Sequence, residues 1–331
     1  MKLIVYLLVF IITITSCNNK KSGVIGKIGD EIIYASDVDK LAQQELFDQL
    51  NQIYNIKSKA FDAYVDLKLL NNEAKMHNIT INEFANSYVS QQIKMFGIDS
   101  LYQKYQVKHR VKLHGTDLTT TEKGSLDDSI RVAYSLKAII IQNFLDSLKE
   151  TIKIEKYVYP PKSPNIKLDN LLAYYRGNLN SKVTFYTISD FDCSKCIEYH
   201  SLYDSIYMKY KDKIRFGYIN FSSTPTLAQL ACDAADKQGR FWEYHDSLYQ
   251  QKYFIDSVTV FNIAKQMNLD MKKFEKDLLD KNVADKLSAT IDILVEKGIY
   301  ATPTIVVNNR LIYNSASYEE ISYLIEKELK Q

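Results

Sequence analysis

The sequence predicts a two-part chain, in which a mostly α-helical N-terminal part precedes an α/β part with parallel strands. Three observations predict this fold class. Apolar residues recur at helical spacing through most of residues 36–156. A strand, a helix and a second strand follow one another between residues 182 and 221, and such a crossover favours parallel pairing. Between the two parts, "YVYPPKSPNIKLD" holds three of the five prolines, so no helix runs through residues 157–169.

The first 23 residues indicate export. After Lys2 comes an apolar run, residues 3–12, which is shorter than the roughly 20 residues that span a bilayer and is typical of an export signal. The ending Ile14-Thr15-Ser16-Cys17 resembles a bacterial lipobox, which implies cleavage before Cys17 and its acylation. Residues 1–16 are then a signal peptide and residues 17–23 a lipidated tether. The tether would hold the protein on the periplasmic side of a bacterial membrane. An ordinary signal peptide or an uncleaved anchor is the alternative.

Composition narrows the class of protein further. A length of 331 residues favours two domains. The formal net charge of +2 gives no support to nucleic-acid binding. With Cys17 lipidated, Cys193, Cys196 and Cys232 remain, too few for a disulfide framework. Hydrophobic residues make up 46% of the chain, so a large apolar core is expected to hold it together.

Residues 24–156 are expected to form a helical domain. A turn at Gly29-Asp30 is followed by predicted helices over residues 36–54, 60–74 and 82–95, and by a long amphipathic helix over 132–152. The stretches "GKIGDEIIYASDVDK" and "AFDAYVDLKLLNNEAKMHNIT" resemble the N-terminal region of SurA-type periplasmic chaperones. No parvulin-like catalytic domain follows, so the resemblance does not imply prolyl isomerase activity. A spacer, a dimerisation module and a peptide-binding module all remain open.

The pair Cys193-Ser194-Lys195-Cys196 is the strongest chemical signal. Cys193 follows the predicted strand 182–189 at the point where a helix begins. Unpaired amides and the helix dipole favour negative charge there, so the pKa of the Cys193 thiol should fall. Cys196 lies one turn later and should be more buried. Cys193 is therefore the expected attacking thiol and Cys196 the resolving one, and Lys195 adds little because an exposed charge is screened.

Two other uses of the pair fit the sequence less well. A structural zinc site needs four ligands, commonly in two separated pairs. No second pair is present, although His200, Cys232 and His245 are available. A structural disulfide here would close a loop of two residues, and short loops contribute least to stability. Neither a metal nor an organic cofactor is therefore expected.

Three motifs resemble the DsbA-like thioredoxin-fold oxidoreductases: "VTFYTISDFDCSKC", "LACDAADKQGRFWEYHDSLY" and "GIYATPTIVVNNRLI". The resemblance implies a thioredoxin-like fold over residues 170–331, with a helical insert at about 224–297. A strand at 304–307, a hairpin partner at 311–313 and a closing helix from about Tyr318 complete it. It also implies that the Thr302-Pro303 bond is cis and lies beside the cysteine pair, where the Thr302 backbone can pair with an extended substrate.

This chain departs from that family at two places. Many relatives carry a buried acid where this chain has Thr187, and that acid assists proton transfer at the resolving cysteine. Ser194 and Lys195 replace the commoner dipeptides and tune the redox potential, so the direction of net reaction stays open. Cys232 is expected to be a small buried hydrophobe. The insert aromatics should be core residues rather than a substrate site: Phe241, Trp242 and Tyr244.

Two functions follow from these patterns. The first is a membrane-anchored thiol–disulfide oxidoreductase that acts on exported proteins and exchanges electrons with a membrane redox partner. The second is a chaperone-like lipoprotein that binds unfolded clients through its helical N-terminal domain, with redox activity secondary.

Overall fold

The structure is a computed structural model that describes residues 23–105, 112–113, 116–117, 126–251 and 255–331. The predicted signal peptide and Cys17 lie outside the described residues. The chain divides into two compact units. The sheet unit comprises the described residues up to Asn51 together with Pro161–Gln331, and the helical unit comprises Gln52–Pro160.

The secondary structure is mostly helical. The strands are β1 Val24–Ile28, β2 Glu31–Tyr34, β3 Lys112–Leu113, β4 Thr116–Asp117, β5 Tyr174–Gly177, β6 Thr184–Ser189, β7 Arg215–Asn220, β8 Thr304–Val307 and β9 Arg310–Leu311. The helices are α1 Ala35–Leu41, α2 Gln43–Met76, α3 Ile81–Phe96, α4 Ile98–Lys104, α5 Leu126–Thr151, α6 Ser194–Tyr210, α7 Leu227–Asp236, α8 Phe241–Tyr249, α9 Ser257–Gln266, α10 Met271–Leu278, α11 Lys281–Glu296 and α12 Tyr318–Leu329.

A five-stranded sheet in the order β5-β7-β6-β8-β9 organises the sheet unit. The predicted parallel pairing of β6 with β7 is confirmed, and β8 runs antiparallel to β6. All four residues of β8 are buried, as expected for a strand covered on both faces. The edge strand β5, antiparallel to β7, was not predicted. It spans only four residues, so it leaves little periodic signal.

Alternating side chains fill a core on each face of this sheet. On one face, Phe185 and Ile305 pack with Ile206 of α6 and Ile321 of α12. The opposite face carries a core to which α2 contributes Phe47, near the start of the chain; its other members include Tyr186, Ile188, Val306 and Leu294. The first turns of α2 therefore belong to the core of the sheet unit.

A helical insert separates β7 from β8, as predicted. Helices α7 to α11 form it, and the apolar faces of α7 to α10 contribute to a third core. Phe241 and Tyr244 are core residues, as expected, whereas Trp242 is half-buried. The insert brings α8 beside the start of α6, where the cysteine pair lies.

The helical unit has its own small core, which includes Val89, Leu101, Leu136 and Ile140. Helix α3 begins at a capping box in which Thr80 and Glu83 satisfy each other's backbone amides. The two helices predicted over 36–54 and 60–74 are largely one continuous helix, α2, because no glycine or proline interrupts residues 43–76. Across the described parts of the chain, none of the helices is both long enough and apolar enough to span a bilayer.

The predicted domains, a helical domain over 24–156 and a linker over 157–169, stay a prediction. In the structure, residues 23–51 cluster with the sheet unit.

Candidate active site

The chain between β6 and α6 places Cys193 at the N-cap of α6. The buried ring of Phe191 anchors this turn in the core of the insert. The amide of Asp192 donates to Asp190 Oδ1 at 3.2 Å, and the amide of Cys193 donates to the Asp190 carbonyl at 3.2 Å. Cys193 has an extended backbone, with φ −80° and ψ 116°, so its side chain stands at the open amide end of the helix.

The environment of Cys193 favours its thiolate. Burial by itself raises the pKa of this half-buried thiol. Hydrogen bonding with Thr302 and Cys196, and with the amides of Lys195 and Cys196, lowers the pKa by more than burial raises it. The net pKa of Cys193 lies below the ordinary thiol value. A thiolate rather than a thiol is the nucleophile in disulfide exchange, so this environment activates Cys193.

Cys196 has the opposite environment. Only 1% of the residue is exposed, and burial raises the pKa of its thiol to about 12, although hydrogen bonding with Ser189 opposes the shift. Cys193, Cys196 and Cys232 are all free thiols in this structure. One thiol of the pair is thus activated and reachable, and the other is protonated and enclosed.

The loop before β8 completes the site beside Cys193. The Thr302–Pro303 peptide bond is cis. The Cys193 thiol lies within hydrogen-bond reach of the Thr302 carbonyl, with an Sγ–O distance of 3.5 Å. Thr304 Oγ1 donates to the Ala301 carbonyl at 2.7 Å. This hydrogen bond holds the loop against the first residue of β8.

Gln44 of α2 also holds this loop, and sequence reasoning missed it. Its Nε2 donates to Thr304 Oγ1 at 2.6 Å, and its Oε1 accepts from the Tyr300 amide at 2.9 Å. Gln44 is 6% exposed. A buried side-chain amide with both ends bonded fixes its partners, so the N-terminal segment helps position the Thr302–Pro303 loop. No local pattern links positions so far apart in the chain.

The remaining predicted residues lie around the pair. Ser194 and Lys195 are exposed in the first turn of α6, where Lys195 Nζ lies 2.7 Å from Glu198 Oε2. Cys232 is fully buried in the insert core, as expected, and burial raises the pKa of its thiol well above the ordinary value. Thr187 lies on β6 in the wall of a cavity behind Cys196.

One possible metal-ligating group occurs in the described parts of the chain. The donor atoms of His200, Asp204 and Asp246 all lie within 4.8 Å of one another. The guanidinium of Arg176 already pairs with both carboxylates, at 3.6 Å from Asp204 and 3.2 Å from Asp246. The positive charge of Arg176 therefore balances these carboxylates, which favours an ion-pair network over a metal site. Cys232 and His245, which the sequence also makes available, are not in this group.

The fold and the cysteine pair are similar to those of thioredoxin-fold thiol–disulfide oxidoreductases. The family described as Thioredoxin matches residues 171–327. The chain is similar to Disulfide bond formation protein D of Bacillus subtilis. The two are 29% identical over 181 residues, which cover 50% of this chain and 80% of that protein.

Other proteins are also similar to part of this chain. The Na(+)/H(+) antiporter NhaA of Herminiimonas arsenicoxydans is 23% identical over 180 residues, which are 54% of this chain but only 28% of the antiporter. Among solved structures, oxidised BdbD from Bacillus subtilis is 27% identical with a TM-score of 0.45 and covers 51% of this chain and 97% of its own. ScsC from Proteus mirabilis, in a transitional conformation, is 15% identical with a TM-score of 0.43. The match covers 64% of this chain and 97% of ScsC.

Proposed function

We propose that the protein is a membrane-anchored oxidoreductase that exchanges disulfides with exported proteins through Cys193 and Cys196. One observation carries this proposal: two thiols one helical turn apart have pKa values shifted in opposite directions, Cys193 down and Cys196 up. Disulfide exchange needs an attacking sulfur that ionises readily and a second sulfur that is held back until the first has reacted. An oxidising compartment outside the cytoplasm suits this chemistry.

Each step of the exchange balances. The Cys193 thiolate attacks one sulfur of a substrate disulfide, and the other substrate sulfur leaves with the bonding electrons. Cys196 then loses its proton and attacks Cys193 Sγ, which expels the reduced substrate and closes the Cys193–Cys196 disulfide. The reverse sequence oxidises a substrate dithiol. Continued turnover in either direction needs a second redox protein, and we propose a membrane redox partner.

The Thr302–Pro303 loop supports substrate binding in this proposal. It borders Cys193, and the Thr302 carbonyl is in contact with the attacking thiol. An extended substrate segment can add its backbone hydrogen bonds to this loop while one of its sulfurs meets Cys193. Ser194 and Lys195 lie exposed in the same turn and tune the redox potential of the pair.

The proposed function is tested by exchange with a reduced, unfolded protein of known disulfides. The parent protein with an oxidised Cys193–Cys196 pair should form disulfides in this substrate, and Cys193→Ser should lower the rate to the uncatalysed level. Acid quenching and mass spectrometry of the substrate measure the reaction. Equal rates for both proteins would contradict the proposal.

A second candidate function is the holding of unfolded clients. Helix α2 exposes large apolar side chains within the helical unit: Ile53, Ile56, Tyr64, Leu67 and Met76. Exposed apolar surface of this kind is typical of binding surfaces. If the protein lacking both cysteines still suppresses aggregation of the reduced substrate, and the parent forms no disulfides in it, client holding replaces exchange as the main function.

We propose lipid attachment at Cys17, which would hold the protein on the periplasmic side of a bacterial membrane. The lipobox-like ending Ile14-Thr15-Ser16-Cys17 and the polar stretch after it support this. Two or more acyl chains anchor a protein stably. Cys17→Ser should therefore abolish lipid labelling and move the protein from the membrane fraction to the soluble fraction or leave it unprocessed. A Cys17→Ser protein that is processed normally and stays membrane-bound would exclude the anchor.

A further inference from the structure

A small, mostly apolar cavity with a few polar side chains in its wall lies beside the resolving cysteine. Its volume is about 30 Å³, and its wall includes Thr187 of β6, Cys196 and His200 of α6, and His245 of α8. An ordered water occupies a space of roughly 10–15 Å³ in the same measure and needs two to four polar partners. The cavity therefore has room for a water molecule in a space that both Cys196 and His200 border.

Cys196 needs a proton acceptor to act. With a pKa of about 12, roughly one molecule in 10⁵ carries the Cys196 thiolate at pH 7. The thiol must lose its proton to attack Cys193, and it must regain one when it is expelled in the reverse direction. The Thr187 hydroxyl can pass a proton on but cannot hold one as a carboxylate would.

His200 is suited to accept this proton. It follows Cys196 by four residues on α6, so the two side chains share one face of the helix. Burial lowers the pKa of His200, which keeps the ring neutral at pH 7 and able to accept a proton. Its Nε2 lies 3.4 Å from Asp204 Oδ2, and 45% of the Asp204 side chain is exposed. The carboxylate stabilises the imidazolium and connects it to solvent.

Four other polar side chains near Cys196 do not connect it to solvent. Ser189 and Tyr249 are hydrogen-bonded at 2.8 Å, and Tyr249 and Tyr218 at 3.3 Å, but all three are buried. His245 is 3% exposed, and burial lowers its pKa to about 4. Its Nδ1 pairs with Asp246 at 2.8 Å, and its Nε2 is a buried atom without a hydrogen-bond partner in the described residues.

We propose that His200 takes the Cys196 proton through cavity water and passes it by way of Asp204 to solvent, in place of the acid that relatives carry at Thr187. This inference rests on the proposed exchange function. As Cys196 Sγ bonds to Cys193 Sγ, its proton moves to water and the water's proton to His200. The expelled thiolate takes a proton from solvent, and His200 releases its own to solvent, so charge balances.

Several charged and titratable groups face His200, and they set the pH at which it works. Asp204 and Asp246 favour the protonated ring, whereas the Arg176 guanidinium disfavours it. The aromatic groups packed against the ring are His245 and Tyr249 of α8. Because burial outweighs the carboxylates, the working pKa lies below 6.5. The attack of Cys196 on Cys193 should slow as the pH falls through the pKa of His200, because the protonated ring cannot accept a proton.

The test measures the resolving step alone, with oxidised glutathione as the probe. The parent protein and His200→Gln are reduced, glutathione is attached to Cys193 at low pH, and its release after a pH jump is followed by quenched mass spectrometry. His200→Gln should release glutathione roughly 100-fold more slowly at pH 7, the low end of general-base contributions. The inflection below pH 6.5 should disappear, and the solvent deuterium isotope effect should change.

Two further variants separate proton transfer from folding. Asp204→Asn retains the ring and should shift the inflection to lower pH, because Asp204 raises the pKa of His200. His77→Gln in the helical unit is the matched control and should leave the pH profile unchanged. In a Cys196→Ser background, His200→Gln should not alter the rate at which glutathione attaches to Cys193.

The possible outcomes are distinct. Equal release rates and equal pH profiles for the parent and His200→Gln would overturn the relay. An unaltered inflection in Asp204→Asn would also count against it. A His200-dependent release in a protein that never forms disulfides in protein substrates would support the relay and reject the proposed function.

Discussion

Cells that express Cys196→Ser are expected to accumulate the protein in mixed disulfides with other exported proteins. Cys193 keeps its lowered pKa at the amide end of α6 and still attacks. The serine at position 196 cannot expel the bound partner, so the reaction stops halfway. Non-reducing gels should show a ladder of adducts that collapses on reduction, and mass spectrometry of the bands should identify the substrates.

Three variants act as controls for the ladder. Cys193→Ser should give none, because the remaining thiol is enclosed and has a pKa of about 12. Cys232→Ala should behave like the parent, because that thiol is fully buried in the insert. Pro303→Thr should lengthen the life of the adducts, because the loop borders the reacting sulfur. A ladder that requires Cys232, or its absence from Cys196→Ser cells under oxidising growth, would reject the exchange mechanism.

Phe47→Ala is expected to destabilise the sheet unit by about 3 kcal/mol, in the range found when a buried aromatic is truncated. Phe47 is 7% exposed and packs in the core behind the sheet, with its ring 6.4 Å from that of Tyr313. Urea unfolding can be followed by the fluorescence of Trp242, the single tryptophan of the chain, which lies in the same unit. The midpoint should fall with little change in slope.

The neighbouring residue provides a matched control. Leu46 is 42% exposed on the same helix, so Leu46→Ala should change the free energy of unfolding by less than about 0.5 kcal/mol. Equal effects of the two substitutions would contradict the assignment of residues 23–51 to the sheet unit. Such a result would instead favour the predicted helical domain that begins at residue 24.

The sequence by itself determined the local parts of the candidate site. The β-branched and aromatic run before Cys193 predicted β6, and the apolar spacing after it predicted α6. Together they placed Cys193 at a helix N-terminus, which is where the structure has it. These features depend on residues a few positions apart, so periodicity and propensity are enough to show them. The resemblance to the DsbA-like family predicted the strand at 304–307 and the helix from Tyr318, and the structure has both.

Only the tertiary structure decided which distant residues serve the site. Gln44 reaches Tyr300 and Thr304, more than 250 positions away, and only the folded chain brings them together. His200 gave a weak signal by its spacing from Cys196, but its cavity and its link to solvent depend on β6, α6 and α8 packing around one space. The burial that raises the pKa of Cys196 and the Thr302 contact that helps lower the pKa of Cys193 also arise from that packing. Desolvation and hydrogen bonding depend on all neighbours in space and not only on those along the chain.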